Sequence, residues 1–75
     1  VRTNVERASD AHQTLSQFAV LVDGSSNEFQ TDPESVLTDL LTNLMHYCNE
    51  EKFNFNELLA RGQDHFKAEV AEESN

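Results

Sequence analysis

The chain has 75 residues, 14 acidic and 5 basic, for a formal net charge of −9, and its length fits a single domain, residues 1–75, without a separate catalytic module. A surface this acidic is repelled by nucleic-acid phosphates and by anionic lipid, because binding either one requires Lys and Arg to displace counterions. Direct nucleic-acid binding and membrane binding are therefore both disfavoured.

The longest apolar run, Phe18 to Val22, falls far short of the roughly 20 residues that cross a bilayer. No basic stretch leading into an apolar one marks a secretory signal, so the expected location is cytoplasmic, in a bacterium or in the host cell of a phage. Hydrophobic residues make up 37% of the chain and recur periodically, which separates it from a disordered polyanion. A single core of this size supplies only about 3–5 kcal/mol, so pairing with another chain is expected. Cys48 is the one cysteine, which rules out an intramolecular disulfide, and its apolar helix position reads as that of a small buried hydrophobe.

In chain order, Thr3-Asn4-Val5-Glu6 fits a capping box, with Thr3 as N-cap and Glu6 reaching back. Ala8, Ala11, Leu15, Phe18, Ala19 and Val22 follow at helical spacing, with His12 among them, and predict a helix over about 4–22 that ends at Asp23-Gly24. Phe18 to Val22 also reads as a short strand, but no second strand exists to pair with it. Residues 24–31 read as a polar loop pinned to the rest by Phe29. Asp32-Pro33-Glu34 then starts a second predicted helix, over 33–49, with Asp32 as N-cap and proline where its missing N–H costs nothing.

On this second helix Val36, Leu37, Leu40, Leu41, Leu44, Met45, Tyr47 and Cys48 cover about half the circumference. One neighbouring helix needs a stripe only about 100° wide. The excess marks these eight residues as a candidate subunit interface. Residues 49–52 are expected to form a turn. A second capping box (Asn54, Glu57) and a Phe53–Leu58 staple then open a third helix over 55–71. Its stripe holds Phe55, Leu58, Leu59, Gly62, Phe66 and Val70. Phe55 and Phe66 are expected to be core residues, and Gly62 to mark a close helix crossing. A frayed acidic tail, 71–75, is expected beyond it.

Candidate chemistry is sparse. His12, His46 and His65 lack the spacing of three or four that puts two ligands on one helix face, so no metal site or other cofactor is expected. His12, among apolar neighbours, fits a hydrogen-bonded structural histidine. There is no Gly-rich phosphate loop, no Ser-His-Asp pattern and no nucleophile elbow, and the chain is not expected to be an enzyme. Asp39, Glu50, Glu51, Glu57, Asp64 and Glu69 are the candidate surface for a basic partner. Carboxylates four apart on a helix lie about 6 Å from each other, close to phosphate spacing.

Asp39-Leu40-Leu41-Thr42-Asn43-Leu44-Met45-His46-Tyr47-Cys48, continuing through Phe53-Asn54-Phe55-Asn56-Glu57-Leu58-Leu59 to His65-Phe66-Lys67-Ala68-Glu69, resembles a group of small uncharacterised bacterial, phage and plasmid proteins. Their pattern looks like D-L-L-x-D-L-M-H-Y/W-x, a short turn, D-F-x-x-A-L, then H-Y/F-x-A-E. The resemblance covers about half the chain and implies a bacterial or mobile-element setting, without an activity. The same segment is more loosely similar to the second helical pair of the MazG and phosphoribosyl-ATP pyrophosphohydrolase type. Those enzymes bind Mg²⁺ through Glu-x-x-Glu and Glu-x-x-Asp helices. Here Asp39 stands at the last Asp but Val36 replaces the preceding Glu, and Glu6 and Asp10 are four apart, so only the helical packing is implied.

The sequence thus predicts an all-α three-helix bundle assembling as a homodimer. The expected function is that of a small acidic interaction protein, such as a phage- or plasmid-type inhibitor that imitates nucleic acid on a basic host protein. The alternatives are a degenerate MazG-like pyrophosphohydrolase fold and a helical adaptor or structural subunit, with Tyr47, Phe29 and Met45 as anchors.

Overall fold

The computed structural model describes residues 2–74. It is all-α with four helices: α1 (Asn4–Asp23), the one-turn α2 (Asn27–Thr31), α3 (Pro33–Glu51) and α4 (Phe55–Ser74). The helix starts follow the sequence. The Thr3 hydroxyl accepts from the Glu6 N–H at 3.1 Å while the Glu6 carboxylate accepts from the Thr3 N–H at 2.9 Å. Asp32 accepts from the Ser35 N–H at 3.3 Å, and Asn54 from the Glu57 N–H at 3.1 Å. Each side chain satisfies an N–H that has no partner within its helix.

The ends differ more. Gly24 adopts a left-handed conformation (φ 80°) and donates to the Val20 carbonyl at 2.9 Å, stopping α1 where glycine was expected to stop it. The expected turn at 49–52 is instead the last turn of α3, which runs to Glu51. Lys52 is left-handed (φ 62°) and donates to the Asn49 carbonyl, while the Phe53 N–H reaches the Cys48 carbonyl at 2.8 Å. This is a Schellman motif closed on a non-glycine residue. Its hydrophobic contact is the edge-on packing of Phe53 on Tyr47, with ring centroids 6.3 Å apart.

The expected loop contains α2. Phe29 projects from it into a small cluster with Ala19 and Val36, flanked by Leu15 and Phe18. The Thr31 hydroxyl donates back to the Asn27 carbonyl, and the Asp32 N–H to that of Glu28, which rounds the segment into one helical turn. Ala19, Phe29, Val36 and, beside the turn, Cys48 are the buried residues among those described.

The buried cluster is built from α1, α2 and α3, while α4 touches α1 and α3 without contributing a buried residue. The second half of α1 lies along α3, whereas the start of α1 meets the end of α4. There Asn4 donates its backbone N–H to Glu73 and its side-chain amide to the Glu69 carbonyl at 3.1 Å, and Arg7 pairs with the Glu69 carboxylate at 3.1 Å. The acidic tail is therefore helical and attached as far as Ser74; the remaining tail residue, 75, lies outside the described residues. The reason is electrostatic. Carboxylates at the negative end of α4 oppose their own helix dipole, and the unpaired N–H groups at the start of α1 accommodate them.

No residue of α4 is buried. Phe66, expected in the core, is 65% exposed, and Phe55 is half-buried. No atom lies within 4 Å of a Cβ built on Gly62, so the chain itself supplies no close crossing there. His12 is exposed, its ring lying against Phe29 with centroids 5.0 Å apart, rather than a buried hydrogen-bonded histidine.

Candidate functional site

Two surfaces stand out, one apolar and one acidic. The apolar one is the part of α3 that α1 and α2 leave uncovered, with a second exposed apolar stripe on α4. Because α1 meets α3 along the edge formed by Asp39, Thr42 and Asn43, it shields Val36, which is 1% exposed, and half of Leu40. The other side of the half-cylinder stays open. Leu37, Leu41 and Leu44 are 43–44% exposed, Met45 53% and Tyr47 57%.

The eight predicted interface residues therefore divide. Val36 and Cys48 are buried in the chain's own interior and so turn away from any interface, Leu40 is half-buried, and the other five are exposed. On α4 Leu58, Leu59, Phe66 and Val70 are exposed as well, Phe66 and Val70 lining a cleft against Asn4, Arg7 and Ala8 of α1. Residues 40–49 carry no formal charge, between Asp39 and Glu50. Depletion of charge at an apolar patch is the compositional mark of an interface centre. Phe29, one of the three proposed adaptor anchors, is buried and cannot serve as one.

The acidic surface is assembled by the fold at the corner where α1, α2 and α3 meet. Asp23 ends α1, Glu28 lies on α2, Asp32 caps α3 and Asp39 sits one turn further along. The Glu28 carboxyl is raised above its ordinary pKa, first by the negative charge of Asp23. Partial desolvation, a hydrogen bond to Asp23, and the charges of Asp39 and Asp32 add to the shift. Every charged group that acts on Glu28 is another carboxylate.

Of the six predicted acidic residues, only Asp39 joins this cluster. Glu50 and Glu51 end α3, and Glu57 and Asp64 lie on α4. Glu69 is engaged by Arg7 and is not part of a free acidic face. Asp23, Glu28 and Asp32 were not anticipated as a group. The available signal was a carboxylate ending one long helix and another starting the next, either side of a short segment anchored by one large apolar residue.

The carboxylates that bear on the pyrophosphohydrolase resemblance have other roles. Glu6 completes the capping box, Asp10 pairs with Arg2 at 2.6 Å, and Val36 sits in the core. Among the described residues no group of three or more His, Cys, Asp or Glu side chains is placed to hold a metal ion, and no helix is long and apolar enough to cross a membrane. Compared with family models, with curated proteins and with solved structures, the chain matches none.

Proposed function

We propose that this chain is a small acidic interaction protein, without catalytic activity, that works in the cytoplasm as a homodimer and binds a basic protein partner. The observation that carries this reading is the uncompensated negative charge at the α1–α2–α3 corner. Among the described residues only two ion pairs form, Arg2–Asp10 and Arg7–Glu69, both at the opposite end of α1. Asp23, Glu28, Asp32 and Asp39 are left to repel one another, as the raised Glu28 carboxyl reflects.

A cationic surface relieves that repulsion on contact, which gives the cluster a function beyond solvation. A concrete form is an inhibitor of the phage or plasmid type, occupying the phosphate-binding face of a basic host protein. The chemistry requires Lys and Arg on the partner and a strong dependence on salt.

The test is competition. The chain should displace duplex DNA from a basic DNA-binding protein of its host, and the displacement should fade as salt rises. Displacement that is indifferent to salt would rule out electrostatic mimicry. A rise in melting temperature with millimolar Mg²⁺ or Mn²⁺ would speak instead for a pyrophosphohydrolase-like site.

A further inference from the structure

We propose that the open α3–α4 face is the seat of a second copy of this chain, and that α4 crosses the partner copy closely at Gly62. This rests on the homodimer of the proposed function and adds the surface where the copies meet and the residue that sets their separation.

The area argument comes first. The chain exposes 6050 Å². A compact protein of its mass, 8.5 kDa, exposes about 4,700 Å². The excess is therefore roughly 1,400 Å² per chain, and two chains covering it would bury about 2,800 Å², within the range of obligate homodimers. The shape agrees. The radius of gyration is 14.3 Å, against about 11 Å for a compact domain of this length, and the smallest extent is only 19 Å.

Charge selects the occupant. Two chains of −9 approach only where neither presents carboxylates, and the exposed residues among 40–49 form such a surface. A basic partner gains nothing there and is drawn to the acidic corner instead. The interior points the same way. A core of Ala19, Phe29 and Val36 gives the single chain little stability, so the fold gains most from a cover that is available wherever the chain is. A second copy meets that condition by mass action, and a two-fold axis lets one patch serve both sides.

Gly62 fixes the crossing. It lies at the middle of the α4 stripe, between Leu58 and Leu59 on one side and Phe66 on the other. Glycine weakens a helix interior relative to alanine, and nothing in the lone chain requires it, since the space a Cβ would fill is empty. Close approach of a second backbone does require it.

Sedimentation equilibrium over the micromolar range, at low and high salt, tests both parts. The wild type should have twice the single-chain mass and associate more tightly as salt screens the like charges. Gly62→Ala should keep or raise helical circular dichroism yet weaken association about tenfold or more, through overpacking at the crossing. Leu44→Glu should abolish association. A single-chain mass with intact helical signal overturns the second copy. A dimer that Gly62→Ala leaves unchanged or tightens overturns the crossing. Salt-weakened binding of poly-L-lysine is read separately, so the basic-partner reading stands or falls independently of either result.

Discussion

The α1–α2–α3 corner and the α4 arm both start from amphipathic helices, yet only the corner buries what it presents. At the corner Phe29, carried on one turn of helix, fills the angle between Ala19 and Val36. The arm carries Leu58, Leu59, Phe66 and Val70 along 20 residues without burying one of them. Its far end is held by polar contacts, Asn4 and Arg7 on Glu69 and Glu73, and its near end by the Schellman turn. Hydrophobic periodicity is thus necessary for burial and insufficient for it. What covers a stripe is decided by which element the connecting segments bring alongside.

The sharpest way to break this contrast is to truncate one aromatic ring in each region. Phe29→Ala removes the centre of the core cluster and should cost about 3–5 kcal/mol, comparable to the stability of so small a domain. The variant should lose its cooperative urea transition. Phe66→Ala removes a ring that already faces water and, measured at dilutions where the chain is single, should change stability by less than about 0.5 kcal/mol. Comparable losses at the two sites would mean that the arm is buried in solution even in a single chain, and the contrast would collapse.

Two helix ends turn the chain, and they differ in the residue that makes the turn. Gly24 and Lys52 both take positive φ, but lysine carries a Cβ into a conformation that disfavours it. Lys52→Gly should therefore stabilise the chain by about 1 kcal/mol, seen as a rise in melting temperature. A fall would show that the Lys52 side chain contributes more than its backbone strain costs.

How far these features could be read beforehand follows from their range along the chain. Thr3 with Glu6, Gly24, Asp32 with Pro33, and Asn54 act within one turn of their own helices, so residue type and spacing reveal them. The α2 turn is different. Asn27 to Thr31 has no helical stripe, and its conformation follows from Phe29 entering a cluster built from α1 and α3. The attachment of Glu69 and Glu73 to Asn4 and Arg7 joins opposite ends of the chain, and local composition made that tail look frayed. For the interface candidates, the α3 wheel identified an apolar half-cylinder but not which side α1 would cover. Val36 therefore turned inward while Leu41 and Met45 did not.

The Arg7–Glu69 pair makes a smaller prediction on the same contrast. Both side chains are about one-third exposed, so Arg7→Ala should cost less than about 1 kcal/mol, and the loss should shrink at high salt. Hydrogen exchange should speed up selectively in the last turns of α4, because the arm has no buried side chain to hold it once this contact is gone. Uniform acceleration through α1 and α3 would show that arm and corner unfold as one unit.

The corner also carries a carboxyl that destabilises the folded chain at neutral pH. Glu28 is raised above its ordinary pKa because Asp23, and then Asp39 and Asp32, disfavour its charge in the folded chain. A carboxyl whose folded pKa lies above its unfolded value binds protons more readily when folded, so its contribution to stability improves as the pH falls. The penalty is fully present at neutral pH and is relieved as the pH drops through the folded pKa toward the ordinary glutamate range. Glu28→Gln should therefore raise the melting temperature slightly at pH 7, and that advantage should vanish under acid conditions, where wild type and variant converge. Because the same repulsion is what a cationic partner would relieve, Glu28→Gln should also weaken binding to a basic surface at neutral pH. If binding weakens with no gain in stability, Glu28 contacts the partner directly; if stability rises with binding unchanged, the cluster is a local strain at a helix junction and the basic partner must bind elsewhere.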